Sequence, residues 1–130
     1  MKFPSFLRVY GAQDYRGECP LEEAEQATFV SQFAKAFPHV RMFAIPNGGF
    51  RHKATAVKLQ ITGTSKGVPD LYIPAWKCWI EMKRTKGGRV SEEQKSWHEY
   101  LAGIGDTVLV TKGWEEAMKQ VREVSKSYEP

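Results

Sequence analysis

The chain has 130 residues, the size of one ordinary domain, and its composition is globular: 42% hydrophobic, 26% charged, with seven Phe, five Tyr and four Trp to fill a core. No apolar run approaches the roughly 20 residues needed to cross a bilayer, which excludes a helical membrane span. Net charge is +4 at pH 7, which permits an anionic partner without naming one.

Charge distribution says more than the total. No Asp or Glu occurs from Gln26 to Pro69, while Lys35, Arg41, Arg51, Lys53, Lys58 and Lys66 fall inside that stretch, and Lys83, Arg84, Lys86 and Arg89 follow. Solvated faces usually mix signs, so a one-sign middle suggests a surface for a polyanion such as nucleic acid; a generic basic domain is the alternative. Cys19 and Cys78 are isolated, with no CxxC pair or Cys/His cluster. A disulfide framework and a zinc site are therefore not expected, and a reducing, cytoplasmic setting is. The first residues lack the long apolar stretch and cleavage pattern of a secretory signal.

Residues 1–20 carry Pro4, Gly11, Gly17 and Pro20, which argues against regular structure. Phe3, Phe6, Leu7, Tyr10 and Tyr15 are too apolar for a free tail. The expected organisation is an arm over 1–20, lying on its own domain or on a second subunit, and one domain over 21–130. A first helix is predicted from Leu21 to Phe37, with Pro20 before it, Glu22 and Glu23 in its first turn and Pro38 ending it. Phe29, Val30, Phe33 and Phe37 form its apolar stripe, and Glu22 and Gln26 share the face of Phe29 and Phe33.

"VRMFAIP" reads as a strand closed by the turn "PNGG", and "HKATAVKLQITG" as a short helix stopped by Gly63. "GVPDLYIPAWKCWIEMKR" reads as a hairpin and "TKGGR" as a loop. "SEEQKSWHEYLAGIG" has Ser91 as N-cap and Gln94 at the N3 position of a capping box, with Trp97, Leu101 and Ile104 inward. A strand "DTVLVT" and an amphipathic helix "WEEAMKQVREV" close the chain. This order implies an α/β layer fold: an antiparallel meander, then a crossover helix that brings the last strand parallel to its neighbour.

The hairpin places charges where a sheet wants apolar side chains. With Pro74 to Lys77 as the turn, Ile73 pairs with Cys78, Tyr72 with Trp79, Leu71 with Ile80 and Asp70 with Glu81. Directly opposed side chains share a face with Cβ atoms about 4.5–5.5 Å apart, so two carboxylates so placed repel unless a proton or a cation lies between them. Lys83 projects from the same face by strand periodicity. A hard cation such as Mg²⁺ takes one or two carboxylates and keeps several waters, leaving room for phosphate oxygens. Such a site suits phosphodiester hydrolysis, with Lys83 orienting the nucleophile or stabilising transition-state charge. The alternative is a surface hairpin in which Glu81 and Lys83 are solvated edge residues, and spacing alone leaves both open.

"GVPDL" followed by "IEMK" resembles the Asp…Glu-x-Lys signature of the PD-(D/E)XK nuclease superfamily. The likeness extends further: "EEAEQ", "IPNGGFR", "GVPDLYIP", "IEMKRTKGGRVSEEQKSW" and "GWEEA" stand in the order and spacing of the VRR-NUC family, the virus-type replication and repair nucleases, from about Leu21 to Val124. The resemblance implies a restriction-endonuclease-like core, a central mixed β-sheet flanked by helices. It implies Asp70 and Glu81 as metal ligands for Mg²⁺ or Mn²⁺, the main-chain carbonyl of Met82 as a third, and Lys83 as the catalytic lysine. Gln94 matches a family glutamine facing the site, a role compatible with its capping box. A first-helix glutamate completes such sites; Glu22 is preferred and Glu25 is second, although either also suits the helix dipole.

Asn47 and Gly48 match a family turn that would place Arg51 against the DNA backbone, or they form only the turn. Lys53, Lys66, Lys86 and Arg89 join Arg51 as candidate phosphate contacts, which position DNA without reading sequence. His39, His52 and His98 form no spaced pair, so a histidine-held metal is not expected. Trp76 at the hairpin tip is expected to stack on a base or pack on a partner subunit, and Trp79, Trp97 and Trp114 to lie in the core.

With the resemblance, these features imply a metal-dependent DNA endonuclease in the cytoplasm of a bacterial or phage-infected cell. The likeness to stand-alone domains of the family implies branched substrates (Holliday junctions or flaps) and a homodimer. The rivals are a DNA-binding module that keeps the fold without the activity, and a sequence-specific restriction-type enzyme on the same core.

Overall fold

The computed structural model describes residues 8–11, 17–46, 57–58 and 61–128. In chain order these form β1 (Val9–Tyr10), α1 (Glu22–Ala36), β2 (Phe43–Ala44), β3 (Leu71–Ile73), a 3₁₀ turn (Pro74–Trp76), β4 (Cys78–Lys83), α2 (Glu92–Gly103), β5 (Thr107–Lys112) and α3 (Trp114–Ser125). The sheet runs β1-β5-β4-β3-β2. Strands β2, β3 and β4 are antiparallel neighbours, while β5 is parallel to β4 and to β1. The meander and the α2 crossover expected from element order are both present.

The hairpin has the expected register, with Leu71 opposite Ile80, Tyr72 opposite Trp79 and Ile73 opposite Cys78. Its turn is tight: Lys77 N–H donates to Pro74 O, and Lys77 adopts a left-handed conformation (φ 46°) that leads into β4. Thr62 N–H donates to Lys58 O and Gly63 follows with φ 111°, which fits the predicted helix stop. The "PNGG" turn and most of that helix lie outside the described residues.

Helices cover both faces of β4. On one face Cys78, Ile80 and Met82 join Leu71, Ile73 and Leu109 in a core with Phe29 and Phe33 of α1 and Ala117, Met118 and Val121 of α3. Burying each of the two Phe rings contributes about 2–3 kcal/mol. On the other face, α2 lies over Glu81 and Lys83. As a result β4 is buried from Ile80 to Lys83 without alternation, as expected of a strand covered on both sides.

Several side chains differ from the sequence-based expectation. Trp76 is only 4% exposed, because the 3₁₀ turn folds it back against Phe33 and Phe37, with edge-on ring centroids 5.8 and 5.1 Å away. It offers nothing to a base or a second subunit. Val30 is 41% exposed and Ile104 59% exposed. Their places on the inward faces of α1 and α2 go to Glu25 and His98, both buried polar residues that apolar counting passes over. Trp79 and Trp97 lie half-buried with their indole N–H groups on Asp106 and Ser65, so they edge the α2 layer rather than fill the core. Trp114 packs against the main core as expected. Val9–Tyr10 form a regular strand on β5, so part of the arm lies on its own domain despite the Pro and Gly around it.

Trp76→Ala should therefore cost about 3–5 kcal/mol in urea unfolding, whereas Val30→Ala should stay within about 0.5 kcal/mol. A tip tryptophan that tolerates truncation would contradict its placement in the core.

Candidate functional site

The site forms where β3 ends and β4 continues. Asp70 directly precedes β3, one step beyond the Leu71–Ile80 pair, and its Oδ2 accepts the Met82 N–H at 2.7 Å. In a strand, the N–H and C=O of one residue point to the same neighbour, so the Met82 carbonyl is directed to this same edge. Glu22, at the start of α1, completes the group. One carboxylate oxygen from each of Glu22, Asp70 and Glu81 lies within 4.8 Å of the other two.

Glu81 is 1% exposed, and its Oε2 is buried with no hydrogen-bond partner among the described residues. A buried acceptor left bare costs about 1–3 kcal/mol. Three converging carboxylates, all oxygen donors and one of them unsatisfied, fit a hard divalent cation. Glu25 does not join them. One turn further along α1, its Oε2 accepts the Trp114 N–H at 2.6 Å and so caps the start of α3.

Lys83 is 6% exposed and donates from Nζ to Gln94 Oε1 at 2.9 Å. The same Gln94 oxygen accepts the Ser91 N–H at 2.8 Å, while Ser91 Oγ accepts the Gln94 N–H at 3.2 Å. Gln94 thus closes the capping box of α2, as its sequence position suggested, and its amide oxygen also accepts a hydrogen from the lysine.

Electrostatics follow from dehydration. Burial pushes Asp70 from 3.8 up to about 8, helped by the neighbouring Glu81 carboxylate and opposed by the Met82 N–H. Burial pushes Glu81 from 4.5 up to about 7, opposed first by a hydrogen bond from the protonated Asp70 carboxyl and then by Lys83. Glu22 is also raised, by burial first, with Lys83 and Arg84 pulling it down. Desolvation disfavours the charged form of each acid, and a cation would reverse the direction.

Two residues that support this arrangement were not singled out from sequence. His98 Nε2 lies 3.4 Å from Glu81 Oε1, both side chains 1% exposed. Burial, then Lys83, hold the His98 ring down at about 4, so it is neutral at pH 7. The signal was its spacing: His98 is four residues after Gln94 and shares its helix face. Gly67 has φ 94°, and a Cβ there would lie 2.6 Å from the Glu93 carbonyl carbon and oxygen. Only glycine lets the loop before Asp70 approach the first turn of α2. The arm contributes too, since Cys19 Sγ accepts the Lys86 N–H at 3.3 Å and sits 3.7 Å from an Arg84 Nη2.

Of the expected phosphate contacts, Lys66 is exposed in the loop before β3, and Lys86 and Arg89 are exposed in the loop between β4 and α2. Arg51 and Lys53, with Asn47 and Gly48, lie outside the described residues. Among the described residues no helix is long and apolar enough to cross a membrane.

A solved structure described as a VRR_NUC domain protein superposes on this chain with a TM-score of 0.65 at 20% sequence identity, covering 84% of this chain and 91% of that one. No family model and no curated protein matches the sequence. The likeness establishes the fold: a mixed five-stranded sheet with flanking helices in the VRR-NUC arrangement, as the sequence resemblance implied.

The raised carboxyls make metal-free stability depend on pH. Between about pH 4 and about pH 8 the folded state keeps protons on Asp70 and Glu81 that the unfolded chain has released. Their stabilisation is full below the unfolded values and is lost as pH rises through 7 to 8. Asp70→Asn keeps an acceptor for Met82 N–H and removes the charge. In EDTA it should flatten the decline in Tm and add about 1 kcal/mol at pH 8. A wild-type Tm that rises across this window relative to the variant would refute the assignment.

Proposed function

We propose that this protein is a Mg²⁺- or Mn²⁺-dependent endonuclease that hydrolyses DNA phosphodiester bonds, with branched DNA as its substrate and a homodimer as its working form. The observation that carries the reading is the meeting of half-buried Glu22 and Asp70 with buried Glu81, whose Oε2 has no hydrogen-bond partner among the described residues, beside a lysine held by Gln94. Asp70, Glu81 and the Met82 carbonyl would hold the cation, with Glu22 completing the set directly or through water. Bound there, the cation supplies a lowered pKa for a coordinated water and neutralises charge on the phosphate oxygens.

The protein's own groups do the rest. Gln94 takes one hydrogen of the Lys83 ammonium and leaves two to orient the nucleophile or to meet charge growing on the phosphate. Burial by α1 and α2 excludes bulk water, which strengthens each of these interactions. Lys66, Lys86 and Arg89 would engage the phosphates on either side of the scissile one. Branched substrates and the homodimer rest on the resemblance to stand-alone domains of the family, where two-fold symmetry sets paired sites on opposing strands.

Replacing Asp70, Glu81 or Lys83 by Ala should lower Mg²⁺-dependent cleavage of a four-way junction by about 100-fold or more, with far-UV circular dichroism unchanged. Undiminished cleavage by Asp70→Ala would refute the site. Junction binding without cleavage by the wild type in Mg²⁺ would reduce the chain to a binding module. Cleavage of linear duplex at one defined sequence would make it a restriction-type enzyme.

Affinity for DNA should fall linearly with the logarithm of salt concentration, by a slope of about 0.9 per phosphate contact. Lys66→Ala and Lys86→Ala should each reduce that slope by about 1. A salt-insensitive complex would move the binding surface elsewhere.

A further inference from the structure

Helix α2 and strand β4 meet in a fixed register. Gln94 and His98, four residues apart on one helix face, contact Lys83 and Glu81, two residues apart on one strand face. The helix advances about 6 Å over four residues and the strand about 6.6 Å over two, so both contacts form together when the elements run in opposite directions. The Ser91–Gln94 capping box anchors the start of α2 and with it the height of His98 over the strand.

An aliphatic residue would fill this interior as well as a histidine. It would also remove the ring contact of Glu81 Oε1, in a carboxylate whose Oε2 has no hydrogen-bond partner among the described residues. With a cation in place Glu81 is ionised and accepts only, so the hydrogen between the two residues belongs to His98 Nε2. We propose that His98 is a positioning residue of the carboxylate centre: its Nε2–H holds Glu81 Oε1 and leaves Oε2 as the oxygen free to bind the divalent cation. This rests on the metal-centre reading above and adds the residue that orients its most buried ligand. Hydrogen bonds to ligating carboxylates typically matter about 10–100-fold in metal affinity.

The test is Mn²⁺ binding by the full chain without DNA, followed by electron paramagnetic resonance of the free ion. His98→Leu should weaken binding 10–100-fold, and His98→Gln, whose amide N–H reaches a similar position, should recover most of the loss. Equal affinity in wild type and His98→Leu overturns the positioning role while the metal centre stands. No Mn²⁺ binding by the wild type overturns both. A purely structural histidine would lower the unfolding midpoint in both variants without this order of affinities. If His98→Leu does not fold, ¹⁵N spectra of wild-type His98 decide: a proton on Nε2 in the presence of Mg²⁺ supports the role, and a bare Nε2 overturns it.

Discussion

Strand β4 has helices on both faces, and its second half carries Glu81 and Lys83. The architecture itself dehydrates these charges; no solvent-facing side exists for them. In such a place like charges repel strongly, opposite ones attract strongly, and an unpaired polar atom is costly. The raised carboxyls of Asp70 and Glu81, the buried lysine and the bare Glu81 oxygen are all consequences of that one enclosure. A fold selected only for stability would place apolar residues there.

The surrounding elements divide the work of holding this end of the sheet. Asp70 is fixed by a main-chain N–H of β4, and its loop reaches α2 because Gly67 has no side chain. Gln94 joins the cap of α2 to Lys83. On α1, neighbouring acids have separate duties: Glu22 faces the carboxylates, whereas Glu25 ties α1 to the N-terminus of α3. The arm adds a further brace through Cys19, which meets the main chain of the basic loop that follows Lys83.

Much of this was legible in the sequence because it depends on short-range spacing. The four-residue turn after Ile73 sets the antiparallel register, and that register alone brings Asp70 beside Glu81. Ser91 and Gln94 announce their capping box at three residues' distance, and alternation along β4 puts Lys83 on the face of Glu81. The order of elements indicated the meander and the parallel last strand. Among the acids of the first helix, helical face favours Glu22 over Glu25; Glu22 lies with Asp70 and Glu81, while Glu25 accepts the Trp114 N–H.

Tertiary packing decided what spacing could not. Trp76 looked like an exposed tip because the sequence does not state that a 3₁₀ turn will bring it onto Phe33 and Phe37. Val9–Tyr10 became a strand because β5 offered an unpaired edge, which outweighed local Pro and Gly. His98 gained its place because α2, the crossover helix after β4, packed back over the strand onto Glu81. Registers, caps and alternation arise from bonds between residues close along the chain or fixed by one turn. Burial, and with it every shifted carboxyl, depends on which surfaces meet, and those contacts exist only once the layers have assembled.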